Sequence, residues 1–211
     1  MARILVYGDS LSWGYDAATG GRFPIDQVWP AVMAQSLGPD TEVLVEALPG
    51  RTTVFDSPFA PGRNGAEMLL PLLESHVPLD LVIVMLGTND LQEPLGLSAR
   101  HAASGLWTLL DIALRSGCGP AGGPPKVLAL APPHLENPSG FMGVFYANRE
   151  AESQELAAFY RQIADRAGVA FFDSASVTRP ADVDGVHLDL AGNAALGPAV
   201  AQVVGPLLAG Q

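Results

Sequence analysis

Five short apolar runs, residues 3–7, 42–46, 81–86, 126–131 and 169–172, alternate along the chain with longer stretches of helical spacing. That alternation predicts parallel strands joined by crossover helices, an α/β fold. Leu81-Val82-Ile83-Val84-Met85-Leu86 is apolar at every position, as a strand covered on both faces requires, so it is expected in mid-sheet. Helices are predicted over 28–37, 64–76, 98–115, 148–167 and 190–208, with Asn64 and Ser98 as N-caps of the second and third. Pro71 interrupts the second, and Pro198 and Gly205 weaken the last, so kinks or early ends are expected there.

Two long loops remain. Residues 117–125, rich in Gly and Pro, read as a connector. Residues 132–145 leave the C-terminal end of a strand, where ligands bind in open α/β sheets, and carry Phe141 and Phe145 just ahead of Tyr146. Such a loop serves as a lid or pocket wall, or seals an interface between subunits.

Length and composition narrow the function classes. A chain of 211 residues with no compositional break is expected to form one domain, 1–211. Its formal net charge of -11 repels phosphate backbones and anionic lipid, which argues against nucleic-acid and membrane-surface partners and for small neutral or apolar substrates. Cys118 is the only cysteine, so no intramolecular disulfide or thiolate cluster is expected. The apolar stretch at the N-terminus is too short for a signal peptide, which favours the cytoplasm. No uninterrupted apolar run approaches the ~20 residues of a membrane-spanning helix.

Four polar clusters fall after predicted strands or before the last helix: Gly8-Asp9-Ser10, Pro49-Gly50-Arg51, Gly87-Thr88-Asn89-Asp90, and residues 182–187. A parallel sheet points all strand C-termini the same way, so these clusters can meet at one edge. Asp184 and His187 are three apart ahead of a helix, so the carboxylate can hold one imidazole nitrogen and leave the other as a base. Ser10 is the hydroxyl such a base would activate. The N–H groups of Ser10 and Gly50 and the Asn89 amide are candidate donors to a developing oxyanion. Asp9 and Asp90 read as braces for the turns, and Arg51 as a loop anchor to a carboxylate.

Other readings compete. Ser10 can simply cap a helix. Asp182, Asp184, His187 and Asp189 carry the donors of a metal-assisted hydrolase. A non-catalytic binding module with Asp9 and Asp90 as an acidic pocket is a third option. No phosphate-binding loop is present, and Gly8-Asp9-Ser10-Leu11-Ser12 lacks the final glycine of a Gly-x-Ser-x-Gly elbow, which disfavours the α/β-hydrolase fold.

Gly8-Asp9-Ser10-Leu11 with Gly50, Gly87-Thr88-Asn89-Asp90 and Asp184-Gly185-Val186-His187 resembles the four-block signature of the SGNH (GDSL) hydrolases, in order and over nearly the whole chain. The resemblance implies a flavodoxin-like three-layer α/β/α sandwich with a parallel sheet, of five strands by the count above. It also implies a Ser10–His187–Asp184 triad, an oxyanion hole from Ser10, Gly50 and Asn89, and no metal or organic cofactor. Ser12-Trp13-Gly14-Tyr15, Arg51-Thr52-Thr53 and Asn64-Gly65-Ala66 further resemble the bacterial arylesterase and acyltransferase subgroup. That subgroup implies short acyl and aryl ester substrates, water or alcohol acceptors, and a homo-oligomer. A carbohydrate acetylesterase with the same triad is the alternative. Leu11, Trp13, Phe141, Phe145 and Val186 are the candidate substrate contacts, with Trp13 equally suited to a subunit interface.

Overall fold

A computed structural model describes residues 1–210; Gln211, the last residue of the expected domain, lies outside the described residues. The five predicted strands form one parallel sheet: β1 (Ala2–Gly8), β2 (Thr41–Ala47), β3 (Leu81–Met85), β4 (Lys126–Ala131) and β5 (Ala170–Asp173), in the order β2-β1-β3-β4-β5. Each strand boundary lies within one or two residues of the sequence expectation, and β3 is buried along its whole length.

Alternation along the strands sorts side chains to two faces. Leu5, Tyr7, Val82, Val84, Val127 and Ala129 face one cluster, built with α2 (Gly65–Ser75), α3 (Ala99–Arg115) and α4 (Glu150–Ala167). Ile4, Val6, Ile83, Met85, Leu128 and Leu130 face the other, built with α1 (Trp29–Leu37) and α5 (Leu190–Ala209). The result is the expected three-layer α/β/α sandwich. Asn64 accepts the Ala66 N–H at 3.0 Å as its N-cap role requires. Ser98 caps the third helix as expected, in a capping box whose other half is the Ser98 N–H donating to His101 Nδ1 at 3.1 Å.

Three expectations need correction. First, α2 runs through Pro71 and α5 through Pro198, Gly205 and Pro206 without ending early. All three prolines are exposed, so the carbonyl left unpaired one turn earlier faces water, while the opposite face of each helix is held by burial of Leu69 and Leu73 or Leu196, Val200 and Val204. Secondly, the 132–145 loop contains a short helix, Gly140–Phe145, and a two-stranded ribbon, Tyr15–Asp16 with Gly21–Arg22, follows β1. Thirdly, α5, 20 residues long with a hydropathy of 1.2, is long and apolar enough to cross a membrane by length and composition. Here its apolar face packs on the sheet and α1.

The packing of α1 on α5 includes one buried polar tie. Val28 offers α1 no side-chain cap, and the Trp29 N–H instead donates to Asn193 Oδ1 at 2.9 Å, while Asn193 Nδ2 donates to Asp189 O at 2.9 Å. Asn193 is buried, so losing it leaves a helix-terminal donor without an acceptor or water. Asn193→Ala is expected to lower unfolding stability by about 1–3 kcal/mol in urea titration despite alanine's better helix propensity; an unchanged midpoint would refute the role.

Candidate active site

The chain leaves β1 at Gly8 and turns at once. Asp9 accepts the Leu11 N–H at 3.0 Å and so caps the four-residue helix Ser10–Trp13, which places Ser10 at the C-terminal edge of the sheet. From β1 the chain goes to one side for β2, and from β2 across to β3 on the other, so the crevice between their loops is a topological switch point. Asn89 enters that crevice from the turn after β3, Gly50 from the turn after β2, and His187 from the loop between β5 and α5.

The loop 184–187 is shaped by its own carboxylate. Asp184 Oδ1 accepts the N–H groups of Val186 and His187, both at 2.9 Å, and Oδ2 accepts from His187 Nδ1 at 2.6 Å. His187 Nε2 then lies 3.0 Å from Ser10 Oγ. Gly185 is required in this turn: its φ is +71°, and a Cβ would come within 2.1 Å of Glu136 O. Burial by itself raises the Asp184 pKa, but the hydrogen bonds from the His187 ring, its backbone and Val186 outweigh it and hold the carboxyl below its ordinary value. The arrangement ends in an acceptor nitrogen facing a hydroxyl, which suits proton abstraction from Ser10.

Donors stand on the opposite side. The Ser10 N–H belongs to the first turn of its helix and the Gly50 N–H to a turn with φ +80°; neither has an acceptor among the described residues. Asn89 is tied down on all sides. Its Nδ2 donates to Asp9 Oδ2 and to Arg51 O, each at 3.1 Å, and its Oδ1 accepts from Gln92 Nε2 at 3.0 Å and from the Tyr146 hydroxyl at 3.3 Å.

Beneath this layer lie two wholly buried carboxyls. Burial pushes the Asp9 pKa up to about 6 and that of Asp90 up to about 7. Asp90 braces the turn after β2 as expected, accepting the Thr53 N–H at 3.0 Å and the Thr53 hydroxyl. Arg51 does not meet a carboxylate as anticipated. Its Nη1 donates to the carbonyls of Gly8 at 3.0 Å and Glu46 at 2.5 Å, and its guanidinium stacks on Tyr7 at 4.2 Å. It ties β1 to β2 instead of offering a charge to ligands.

Ser10, Asn89, Gly50 and His187 open onto a pocket of about 220 Å³, walled by Tyr15, Pro49, Gln92, Phe141, Met142, Phe145 and Tyr146. Of the five expected substrate contacts, Phe141 and Phe145 are there. Leu11 and Val186 are not: they are 3% and 4% exposed and belong to the two cores, because their neighbours Ser10 and His187 take the outward positions. Trp13 also stays outside the lining, under the Arg22 guanidinium at 4.6 Å. Tyr15 lines the pocket and packs its ring against that of His187, with centroids 4.5 Å apart. Tyr146 joins Phe141 and Phe145 in the wall that the 132–145 segment was expected to form, whereas Gln92 and Met142 were not expected, although Gln92 sits three residues beyond Asn89 in one turn.

The metal reading fails on geometry. Asp182 turns to Arg179 at 2.9 Å and Asp189 caps α5 by accepting the Gly192 N–H at 2.7 Å, and among the described residues no cluster of three acidic, His or Cys ligands forms. His76 pairs with Glu46 at 2.8 Å, away from the pocket lining, and His134 is not part of that lining.

Comparison with known proteins agrees with this geometry. Residues 6–195 match the GDSL-like lipase/acylhydrolase family. Solved structures that superpose closely include an aryl esterase of M. smegmatis (40% identity, TM-score 0.93, 98% of this chain and 100% of that one). A carbohydrate acetylesterase family member from Sinorhizobium meliloti (38%, 0.94, 99% and 100%) and a putative arylesterase from Agrobacterium tumefaciens (41%, 0.92, 98% and 100%) do so too. No curated protein matches the sequence.

The buried carboxyls make stability depend on pH. Asp90 keeps its proton in the folded state up to about pH 7 but loses it near 3.8 when unfolded, so its contribution is complete below about pH 4 and is lost as pH rises through about 7. Asp90→Asn is expected to flatten the decline of the urea midpoint between pH 4 and 7 relative to the unsubstituted protein; parallel pH profiles would contradict the assignment.

Proposed function

The chain belongs to the GDSL-like lipase/acylhydrolase family, and from that premise we propose that it is a serine esterase acting on short acyl and aryl esters through an acyl-serine intermediate. The observation that carries the reading is the continuous relay Ser10 Oγ to His187 Nε2 at 3.0 Å and His187 Nδ1 to Asp184 Oδ2 at 2.6 Å, opening on a pocket with unengaged N–H groups.

Ser10 Oγ attacks the ester carbonyl carbon while His187 Nε2 takes the hydroxyl proton. Asp184, held below its ordinary pKa, stays ionised and steadies the imidazolium through Nδ1. The carbonyl oxygen becomes an oxyanion and receives the Ser10 and Gly50 N–H groups, together with the Asn89 hydrogen that at rest faces Arg51 O. Collapse breaks the bond to the alcohol oxygen, which leaves with the proton from Nε2. Water, deprotonated by His187, then adds to the acyl carbon, and collapse breaks the bond to Ser10 Oγ, releasing the acid as His187 returns the proton to the serine.

Pocket size and lining support the substrate class. A volume of about 220 Å³ suits a short acyl group, and the Tyr15, Phe141 and Phe145 rings beside the relay suit an aryl leaving group. The Sinorhizobium acetylesterase relative supports a second reading, sugar acetates, which comparison of xylan acetate with aryl acetate hydrolysis decides. An apolar mouth also concentrates primary alcohols against water, which supports acyl transfer alongside hydrolysis.

An organophosphonate ester is expected to label Ser10 and abolish turnover, whereas a chelator leaves turnover intact; a folded sample that resists labelling would defeat the serine mechanism. Asn89→Ala is expected to lower kcat by ~10²–10³ for loss of one oxyanion donor. With an aryl acetate and a primary alcohol together, the new ester should accumulate beside acetate, and acetate alone would remove the transferase activity from the proposal.

A further inference from the structure

The segment between β4 and α4 touches both halves of the site. At one end the Ser139 N–H donates to Asp184 O at 3.1 Å and the Glu136 N–H to Gly185 O at 3.0 Å. In the middle, the short helix Gly140–Phe145 supplies Phe141, Met142 and Phe145 to the pocket wall. At the other end Tyr146, 3% exposed, places its hydroxyl 3.3 Å from Asn89 Oδ1. The same oxygen accepts Gln92 Nε2 at 3.0 Å, and Gln92 in turn lines the pocket.

We propose that Tyr146, with Gln92 as its partner, is a positioning residue that holds the Asn89 amide in its donating orientation and links that orientation to the aromatic pocket wall. The inference rests on the esterase reading above and deepens it. An amide can rotate about its last bond so that oxygen and nitrogen exchange places, and only its surroundings decide which faces the substrate. Asp9 and the Arg51 carbonyl attract the NH₂ end. Two donors on Oδ1 oppose the exchanged state, which would set oxygen against carboxylate oxygen and NH₂ against NH₂. They also draw electron density from nitrogen, which strengthens Nδ2–H as a donor where an oxyanion forms. Because Tyr146 directly follows the helix bearing Phe145, a ligand that presses on Phe141 or Phe145 bears on the hydroxyl that orients Asn89.

The experiment compares Tyr146→Phe, Gln92→Leu and Asn89→Ala, singly and combined, using an aryl acetate for steady-state rates and the phosphonate for the rate of Ser10 labelling. Loss of one neutral hydrogen bond that acts only through Asn89 should lower kcat and labelling about 3–10-fold with little change in KM. In the Asn89→Ala background the same substitutions should have no further effect. If Tyr146→Phe multiplies with Asn89→Ala, or raises KM alone, Tyr146 acts as wall and not as positioner. Gln92→Leu, at a partly exposed site, tests the same coupling should Tyr146→Phe fail to fold. Labelling of the unsubstituted protein reports separately on the esterase reading: if Ser10 labels but the cycle is additive, only the positioning role falls.

Discussion

Parallel pairing of β1 with β2 on one side and β3 on the other is the constraint from which the site follows. The register sets Gly8 opposite both Ala47 and Met85, so the three strands end level and their loops open at one edge. Ser10, Gly50 and Asn89 lie within a few residues of those ends. None could meet the others in a sheet of different order. The relay and the donors then face each other across the crevice that the change in winding direction leaves open.

Such an edge brings polar groups inside, and several of them are met by buried carboxyls and carbonyls rather than by surface charges. Asp9 caps the Ser10 helix and receives Asn89, Asp90 braces the Thr53 turn, and Arg51 ties strand ends together over Tyr7. Burial raises both carboxyl pKa values, so the groups that shape the site also make the fold sensitive to pH. An uncompensated change in this layer disturbs stability and geometry together, because a buried polar group without its partner costs about 1–3 kcal/mol.

The pocket wall is built differently. Phe59 stacks edge-on with Phe145 at 5.2 Å and Phe141 lies 4.6 Å from Phe145, all on surface segments outside the sheet. Phe141 is 71% exposed, whereas Met142 and Phe145 are partly buried and pack against the core beneath. The wall is also anchored by the backbone bonds to the 184–185 turn at one end and by Tyr146 at the other. The aromatic segment is thereby attached to both reactive halves of the crevice.

Sequence alone determined the five strands, the five long helices and the residues of the relay, because periodicity, capping residues and strand-end clusters are local signals. It also carried Asn64 and Asp90 in their bracing roles. It could not tell that both helices continue past Pro71 and Pro198, since the exposure of a helix face decides whether a proline is tolerated and exposure is a tertiary property. Leu11 and Val186 were assigned to substrate for a similar reason: adjacency to Ser10 and His187 along the chain says nothing about which side of the turn each residue takes. Gln92 and Met142 joined the site only through folding, as did the hydrogen bond from Tyr146 to Asn89, the pairing of His76 with Glu46 and the carbonyl partners of Arg51. The elements were written in short-range pattern, whereas the partners of Asn89 depend on contacts between segments as far as 80 residues apart and the lining of the pocket on contacts as far as 177 apart, which no local pattern encodes.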